Sequence, residues 1–495
     1  MSIRTKLFQR VHSERFAPYA ALPGPAPTFP LGNWASVGPR APWEAGLEIA
    51  RKHGDLALIW FGTRPIVHIA SPELARTLLI DHQDALERES AARLVGLPNL
   101  PLKHRAEHGR LWEGAHPGIH SLLRLGQDSW GERWLAEQWS DLEGFFSERA
   151  RAFAREGMGG SLPLHASLLR IVFSALTRMT LGQELSHQSF EDLLDVTLGS
   201  RRSALGFGRT DRSSHLQDDA HTRLFNAIAT RVAQAQRYPE ENRRDLLGQW
   251  IENADPATEA HWAPAILQLL VSGCQPIAAS LTHTLHLVAQ STDELKRLET
   301  EILDHASSNL PHDLAALSRL DAVHREGLRF APPIPLIARR VTGENGIELN
   351  GMSIPPGTGI LINLAAMQRQ GNFGSDADHF RPDRWLEAQG NRVPRSFLPG
   401  GLGPMSCPAE RLREVLGKQI LYSLLREHTL QTAEAGRGRW VQGVRIPSHI
   451  TARLRGRRTA PSGPQTQGAS ATPSDPAPAP ELRPEHVRPR GKRPA

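Results

Sequence analysis

Cysteine is nearly absent from this sequence: 495 residues include two, Cys274 and Cys407. Two are too few for a disulfide framework or a cysteine-rich zinc module. A reducing compartment is the simplest setting, so a cytoplasmic location is expected. Aromatic residues are scarce at 6%, which leaves no stacking platform for nucleic acid. A dominant charge sign is missing too. Lys and Arg number 58 against 52 Asp and Glu, a formal net charge of +6. That is too mild at this length to call for a nucleic-acid partner. No apolar run of about 18 residues occurs, so no transmembrane segment is expected. What is present is a globular composition, 39% hydrophobic and 22% charged, in a chain long for one average domain and short for three.

The ends differ from the middle. Residues 1–20 place Arg4, Lys6 and Arg10 ahead of the first acid, Glu14. A mobile basic arm is expected there, with a transit peptide or membrane-surface helix as alternatives. Residues 459–495 hold nine prolines and almost no large apolar residue. Such a segment cannot bury enough surface to offset its ordering entropy and reads as a disordered tail. Residues 21–458 show no comparable linker and no internal repeat, and read as one domain. Within it, residues 56–61 and 66–70 flank Gly62-Thr63-Arg64-Pro65 as a hairpin. Ser71-Pro72-Glu73 opens a helix. The middle is helical in pattern, and short strand-like runs return after residue 330. The fold class is mainly α with minor β.

Two segments carry candidate chemistry. Cys407 lies in FLPGGLGPMSCPA, residues 397–409. Its glycines and prolines demand an irregular loop. Residues 410–425 follow with Leu412, Val415, Leu416, Ile420 and Leu421 at helical spacing. A thiolate just before a helix N-terminus is favoured by the dipole and the free amides. Glycine lets the backbone approach a large flat ligand. The alternative is a structural cysteine in a loop. The second segment is Glu326-Gly-Leu-Arg329, a pair that shares one helix face. The same spacing recurs at Glu48/Arg51, Glu73/Arg76, Glu148/Arg151 and Glu294/Arg297, read as solvated faces. Context sets Glu326/Arg329 apart: FAPPIP at 330–335 ends the helix, and FRPDRW at 380–385 supplies Arg384.

This ordered set resembles the cytochrome P450 family: E-x-x-R helix, proline break, Arg-Arg before a short sheet, F-x-P-x-R-W, Gly-rich Cys loop and helix. LPGPAP at 22–27, KHGD at 52–55 and FGTRPIVHI at 61–69 extend the resemblance over residues 21–458. It implies a mostly helical prism with small sheets. It implies that Cys407 is the proximal thiolate and metal ligand of a haem b iron, a ligand that favours O–O cleavage. Phe397, Gly401 and Gly403 would shape the loop against the cofactor. Glu326, Arg329 and Arg384 would lock the loop. Arg339, or its neighbour Arg340, would pair with a propionate, as would Trp130 and Arg133.

The sequence departs from the family pattern at both faces. In the Cys loop, Gly400 stands at the aromatic position, with Phe397 three residues earlier. Met405 replaces the propionate-binding Arg, and Ala409 replaces a Gly. Losing one Arg–propionate pair costs about 1–3 kcal/mol of cofactor binding. On the distal helix, Ser272-Gly-Cys-Gln275-Pro276 puts Gln and Pro where the family has an acid and Thr, so Ser272, Gln275 and Pro276 are the residues that the resemblance places at the catalytic face. Neither titrates near neutral pH. Pro276 removes the amide that would bond Ser272 and is expected to kink the helix. Ser272 or Ser280 would order a water there, and Cys274 would be a packed small residue.

The resemblance implies a monomeric monooxygenase that inserts oxygen into a mostly apolar small organic substrate. Residues 269–273 and 333–337 would face that substrate. Electrons would come from a separate ferredoxin- or flavodoxin-type donor docked near Arg411, Arg413 and Lys418. Gln275-Pro276 keeps two alternatives open, a peroxide-dependent peroxygenase or isomerase and a non-catalytic haem-binding relic.

Overall fold

Apolar runs stopped by glycine build the first sheet. The structure, a computed structural model, describes residues 2–34, 42–89, 132–156, 160–198, 211–239, 245–307, 314–370, 373–387, 393–434, 439–441 and 443–457. After α1 (Ile3–Val11), α2 (Ser13–Phe16) and α3 (Pro42–His53) come β1 (Leu56–Phe61) and β2 (Arg64–Ile69). They pair antiparallel from Leu56↔Ile69 to Phe61↔Arg64. Gly62 makes the two-residue turn at φ +60. All six residues of β1 are buried, which is why LALIWF does not alternate. Ser71 caps α4 (Pro72–Arg76) by accepting from the Leu74 amide at 3.2 Å. β3 (Leu86–Arg88) follows.

The middle is helical: α5 (Glu132–Glu156), β4 (Leu162–Pro163), α6 (Leu164–Leu181), α7 (His187–Leu198), α8 (Asp211–Arg237), α9 (Leu246–Asn253) and α10 (Trp262–Gln290). Next are α11 (Thr292–Ser307) and α12 (Ser318–Phe330). α10 is apolar on nearly every face because α6, α8 and α12 pack around it. It is long and apolar enough to cross a membrane by composition, yet most of that stretch is buried inside the protein. It runs unbroken through Pro276. Gly327 is required on α12 because a Cβ there would collide with Thr284 of α10.

The chain then returns to sheets: β5 (Leu336–Val341), β6 (Ile347–Leu349), β7 (Met352–Ile354), β8 (Gly359–Asn363), α13 (Leu364–Met367), α14 (Asp383–Glu387) and α15 (Glu410–Glu427). It closes with β9 (His428–Glu434), β10 (Arg439–Val441), β11 (Val444–Ile446) and β12 (Ile450–Gly456). The main sheet has the order β1-β2-β8-β5-β3, with β2 and β8 parallel. The mainly α, minor β class expected from the pattern is the one observed. One compact unit spans Met1–Gly456. The rest, Arg457–Ala495, lies almost wholly outside the described residues.

The basic segment at 1–20 corrects the mobile-arm expectation. α1 buries Phe8, whose ring meets Trp60 edge-on at 5.7 Å, and Tyr19 hydrogen-bonds Thr358 at 2.8 Å. Aromatic anchors spaced across a basic stretch hold it to the sheet, a signal that charge counting hides. Glu294 is no solvated helix face either. It is buried and binds Arg319 at 2.6 Å, which in turn binds Asp383 of α14.

Candidate cofactor site

Glu326 is fully buried at the core of a clamp. Arg329 donates to both its oxygens, at 2.8 and 2.7 Å. Arg384 Nε donates at 3.1 Å, Trp385 Nε1 at 2.9 Å and the Arg381 amide at 2.8 Å. The rest of the Arg329 guanidinium reaches the carbonyls of Gln368, Ala377 and His379 at 2.8–2.9 Å. A buried carboxylate is tolerated only with such full pairing. The structure thus brings Glu326, Arg329 and Arg384 together.

Two contacts carry the clamp to the Cys loop. Trp385 packs on Phe397 at 4.8 Å. Gln368, fully buried, donates to the carbonyls of Leu328 and Arg329 and accepts from the Leu398 amide at 3.3 Å. Gln368 was missed in the sequence, since no spacing marks a single glutamine after a strand. The loop then closes on itself: the Cys407 amide donates to the Gly400 carbonyl at 2.7 Å. Gly401 and Gly403 take φ +78 and +72. A Cβ on Gly403 would strike the Leu79 carbonyl. Ala409 sits at φ −105, so an L side chain fits there and the missing glycine is no strain.

Cys407 is reached by solvent, although protein lies close enough for burial to push its thiol pKa up. A side chain on the wall of a concavity combines those two properties. Arg413, the Ala409 amide and Arg88 oppose that rise by favouring the thiolate. Cys274 is wholly buried on α10, and burial alone drives its thiol pKa up.

The same wall carries two arginines. Gly401 lies 3.4 Å, measured from an ideal Cβ, from Ile337 of β5. Arg339 is two residues on, so it shares that face of the strand. Arg88 of β3 is its partner in register. Arg88 also donates to the Met405 carbonyl at 3.2 Å. Burial, and then Arg339, lower the Arg88 pKa to about 9, and burial lowers Arg339 to about 10. Like charges directly opposite on a strand pair repel. Arg339 Nε has no hydrogen-bond partner among the described residues. Two guanidiniums beside an accessible thiol are a demand for anions. Arg340 points elsewhere, to Glu89 and Glu87. Arg88 was missed because it lies about 320 residues from Cys407 in sequence and no local pattern flags it.

On α10, Ser272 is exposed and Gly273 and Pro276 are half-buried, between the buried stretches 265–267 and 277–285. Ser272 Oγ donates to the Gln268 carbonyl at 2.5 Å. Gln275 corrects an expectation. Its side chain is buried, 3.0 Å from His165 Nε2 and 3.4 Å from Thr197 Oγ1, so it serves helix packing and not the accessible turn. Lys418 is likewise no docking contact: it is buried and paired with Asp321 and Glu414. Arg413 pairs with Glu410 and is 11% exposed; Arg411 pairs with Glu414 and is 39% exposed. Trp130 and the side chain of Arg133 lie outside the described residues.

Comparison with known proteins agrees with this geometry. A family model described as cytochrome P450 matches residues 207–439. The chain is 26% identical over 435 residues to cytochrome P450 71B6 of Arabidopsis thaliana, covering 78% of this chain and 82% of that protein. It is 24% identical over 378 residues to pentalenene oxygenase of Streptomyces avermitilis, covering 72% and 79%. It is 24% identical over 413 residues to a self-sufficient cytochrome P450 monooxygenase of Penicillium expansum, covering 78% of this chain but 38% of that protein.

Proposed function

The chain belongs to the cytochrome P450 family and is a haem-thiolate monooxygenase, and on that premise we propose its finer chemistry. The cofactor is haem b, held by Cys407 with Arg88 and Arg339 on its propionates. The substrate is a mostly apolar small organic molecule, and electrons come from a separate ferredoxin- or flavodoxin-type donor. One observation carries the cofactor assignment. An accessible thiol, fixed by the loop's own amides, shares a wall with two desolvated guanidiniums. That donor set fits an iron macrocycle bearing two carboxylates.

When bound, the haem supplies the activation of oxygen and its transfer to substrate. The chain's residues do the rest. Cys407 would hold the iron as a thiolate, with Sγ deprotonated. Arg413, the Ala409 amide and Arg88 favour that charge. The Glu326–Arg329–Arg384 clamp acts through Trp385, Phe397 and Gln368 to hold Sγ in place. On α10, Pro276 has no amide to give the Ser272 carbonyl. That carbonyl and Ser272 Oγ hold a water at the accessible turn, while Gln275 remains in the helix packing.

The absence of an acid at the Ser272–Pro276 turn favours a second reading, turnover with peroxide, which brings its own O–O bond and protons. A carbon monoxide difference spectrum of the reduced protein, beside Cys407→Ser, tests the ligation. A thiolate-type Soret band lost in the variant supports it; a band indifferent to Cys407 removes it. Product formed with hydrogen peroxide alone, compared with donor-driven turnover, decides between the oxidants.

A further inference from the structure

The Cys loop lacks a side chain at one position, and a charged group from the following helix fills the space. Gly400 stands where the family pattern has an aromatic residue. It is not among the glycines at positive φ, so the backbone there does not require glycine. A Cβ built on it would lie 3.0 Å from Glu410 Oε2, 3.1 Å from Cδ and 3.3 Å from Oε1. The three nearest atoms therefore form one carboxylate. A ring at position 400 and the Glu410 carboxylate would compete for the same volume. Phe397, three residues earlier, is engaged with Trp385.

Local structure holds Glu410 in that place. It is the first residue of α15, where the helix dipole favours an acid. Arg413, one turn on, donates to its Oε1 at 3.3 Å. Glu410 is 50% exposed and Arg413 only 11%. The residue on which the carboxylate packs also anchors the thiol, since the Cys407 amide donates to the Gly400 carbonyl at 2.7 Å. Arg413 favours negative charge on Cys407, and Glu410 opposes it. One ion pair thus presents both signs of charge to the thiol.

We propose that the Glu410 carboxylate, opposed by Arg413, tunes the reduction potential of the iron that Cys407 holds, and lowers it relative to an uncharged cover. The inference rests on the haem-thiolate reading. Reduction brings one electron from the external donor to the iron. A fixed negative charge nearby disfavours that electron, and a fixed positive charge favours it. An aromatic ring in the same volume carries no net charge. The half-exposed carboxylate is screened by water and salt, so its influence is moderate. Glu410 acts through Cys407 and its loop, as a positioning residue.

The experiment is a redox titration of the haem-loaded full chain, followed by its visible spectrum. Glu410→Gln keeps the shape and removes the charge. It should favour reduction about threefold, a rise of about 28 mV for a one-electron couple. Arg413→Gln should lower the potential by a similar factor. Both variants break the same ion pair, so a merely structural role would move both potentials the same way. Glu410→Asp should restore the parent value in part. Gly400→Phe should raise the potential by displacing the carboxylate, and by less when Glu410→Gln is already present. The carbon monoxide band of the reduced parent is read first. Without a thiolate-type band, the haem-thiolate reading fails and this inference with it. With the band intact throughout, an unchanged potential in Glu410→Gln overturns the role of Glu410 alone. So does a shift of the two charge variants in one direction. Loss of the band in Glu410→Gln overturns it as well, because Glu410 would then be a structural part of the loop.

Discussion

Two arginine-rich clusters lie on either side of the Cys loop, and they are built on opposite plans. Around Glu326, every oxygen and every guanidinium edge has a partner, and the cluster is complete without any ligand. Around Arg88 and Arg339, like charges face each other across a strand pair, desolvated, next to an accessible thiol. The first plan is that of a structural clamp. The second is that of a socket whose electrostatics are resolved by what binds. The same residue type completes a saturated carboxylate network in one place and faces its like across a strand pair in the other.

The comparison breaks most sharply at the thiol. Cys407→Ser should remove the thiolate-type carbon monoxide band altogether while the chain remains folded, read by difference spectra beside circular dichroism. Glu326→Gln should do the reverse. It leaves Arg329 buried without its counter-charge, which costs about 3–5 kcal/mol of stability, read by denaturant unfolding of the haem-free chain. Arg88→Ala and Arg339→Ala should each weaken haem retention by about 1–3 kcal/mol, measured as faster haem transfer to an apoglobin acceptor. Each should lower the stability of the haem-free protein by less than Glu326→Gln does, because the hydrogen bond lost is offset by relief of a like-charge contact. A loss of apoprotein stability in Arg88→Ala as large as that of Glu326→Gln would erase the distinction between clamp and socket.

A separate effect concerns pH. Burial holds His68 and His165 neutral, each with its pKa lowered from 6.5 to about 4. The unfolded chain takes up these protons first as pH falls. Stability should be level above pH 6.5 and decline progressively from there toward pH 4. The haem-free melting temperature against pH reads this. His165→Gln should flatten the decline in part.

Ordered motifs made the site partly legible. Glu326, Arg329 and Arg384, expected as one network, meet in the structure; Cys407 was singled out by its Gly-rich loop, and Arg339 by the family resemblance. Gln368 and Arg88 leave none, since their partners are distant in the chain. Gln275 misled for a related reason: a position on a helix gives an angle, and only the packing of α6 and α7 shows which neighbour that angle meets.

The sequence by itself determined the class of the fold, the hairpin and its capped helix, the identity of the thiol and the E-x-x-R pair. Each depends on periodicity, turn chemistry or spacing, which act over a few residues. Only the tertiary structure decided that residues 1–20 fold onto the sheet, that Lys418 is buried, that Arg340 has carboxylate partners and Arg339 has none among the described residues, and that Arg88 stands opposite it. Those outcomes are set by strand register and by which charges end up desolvated together, and neither quantity exists until distant segments meet.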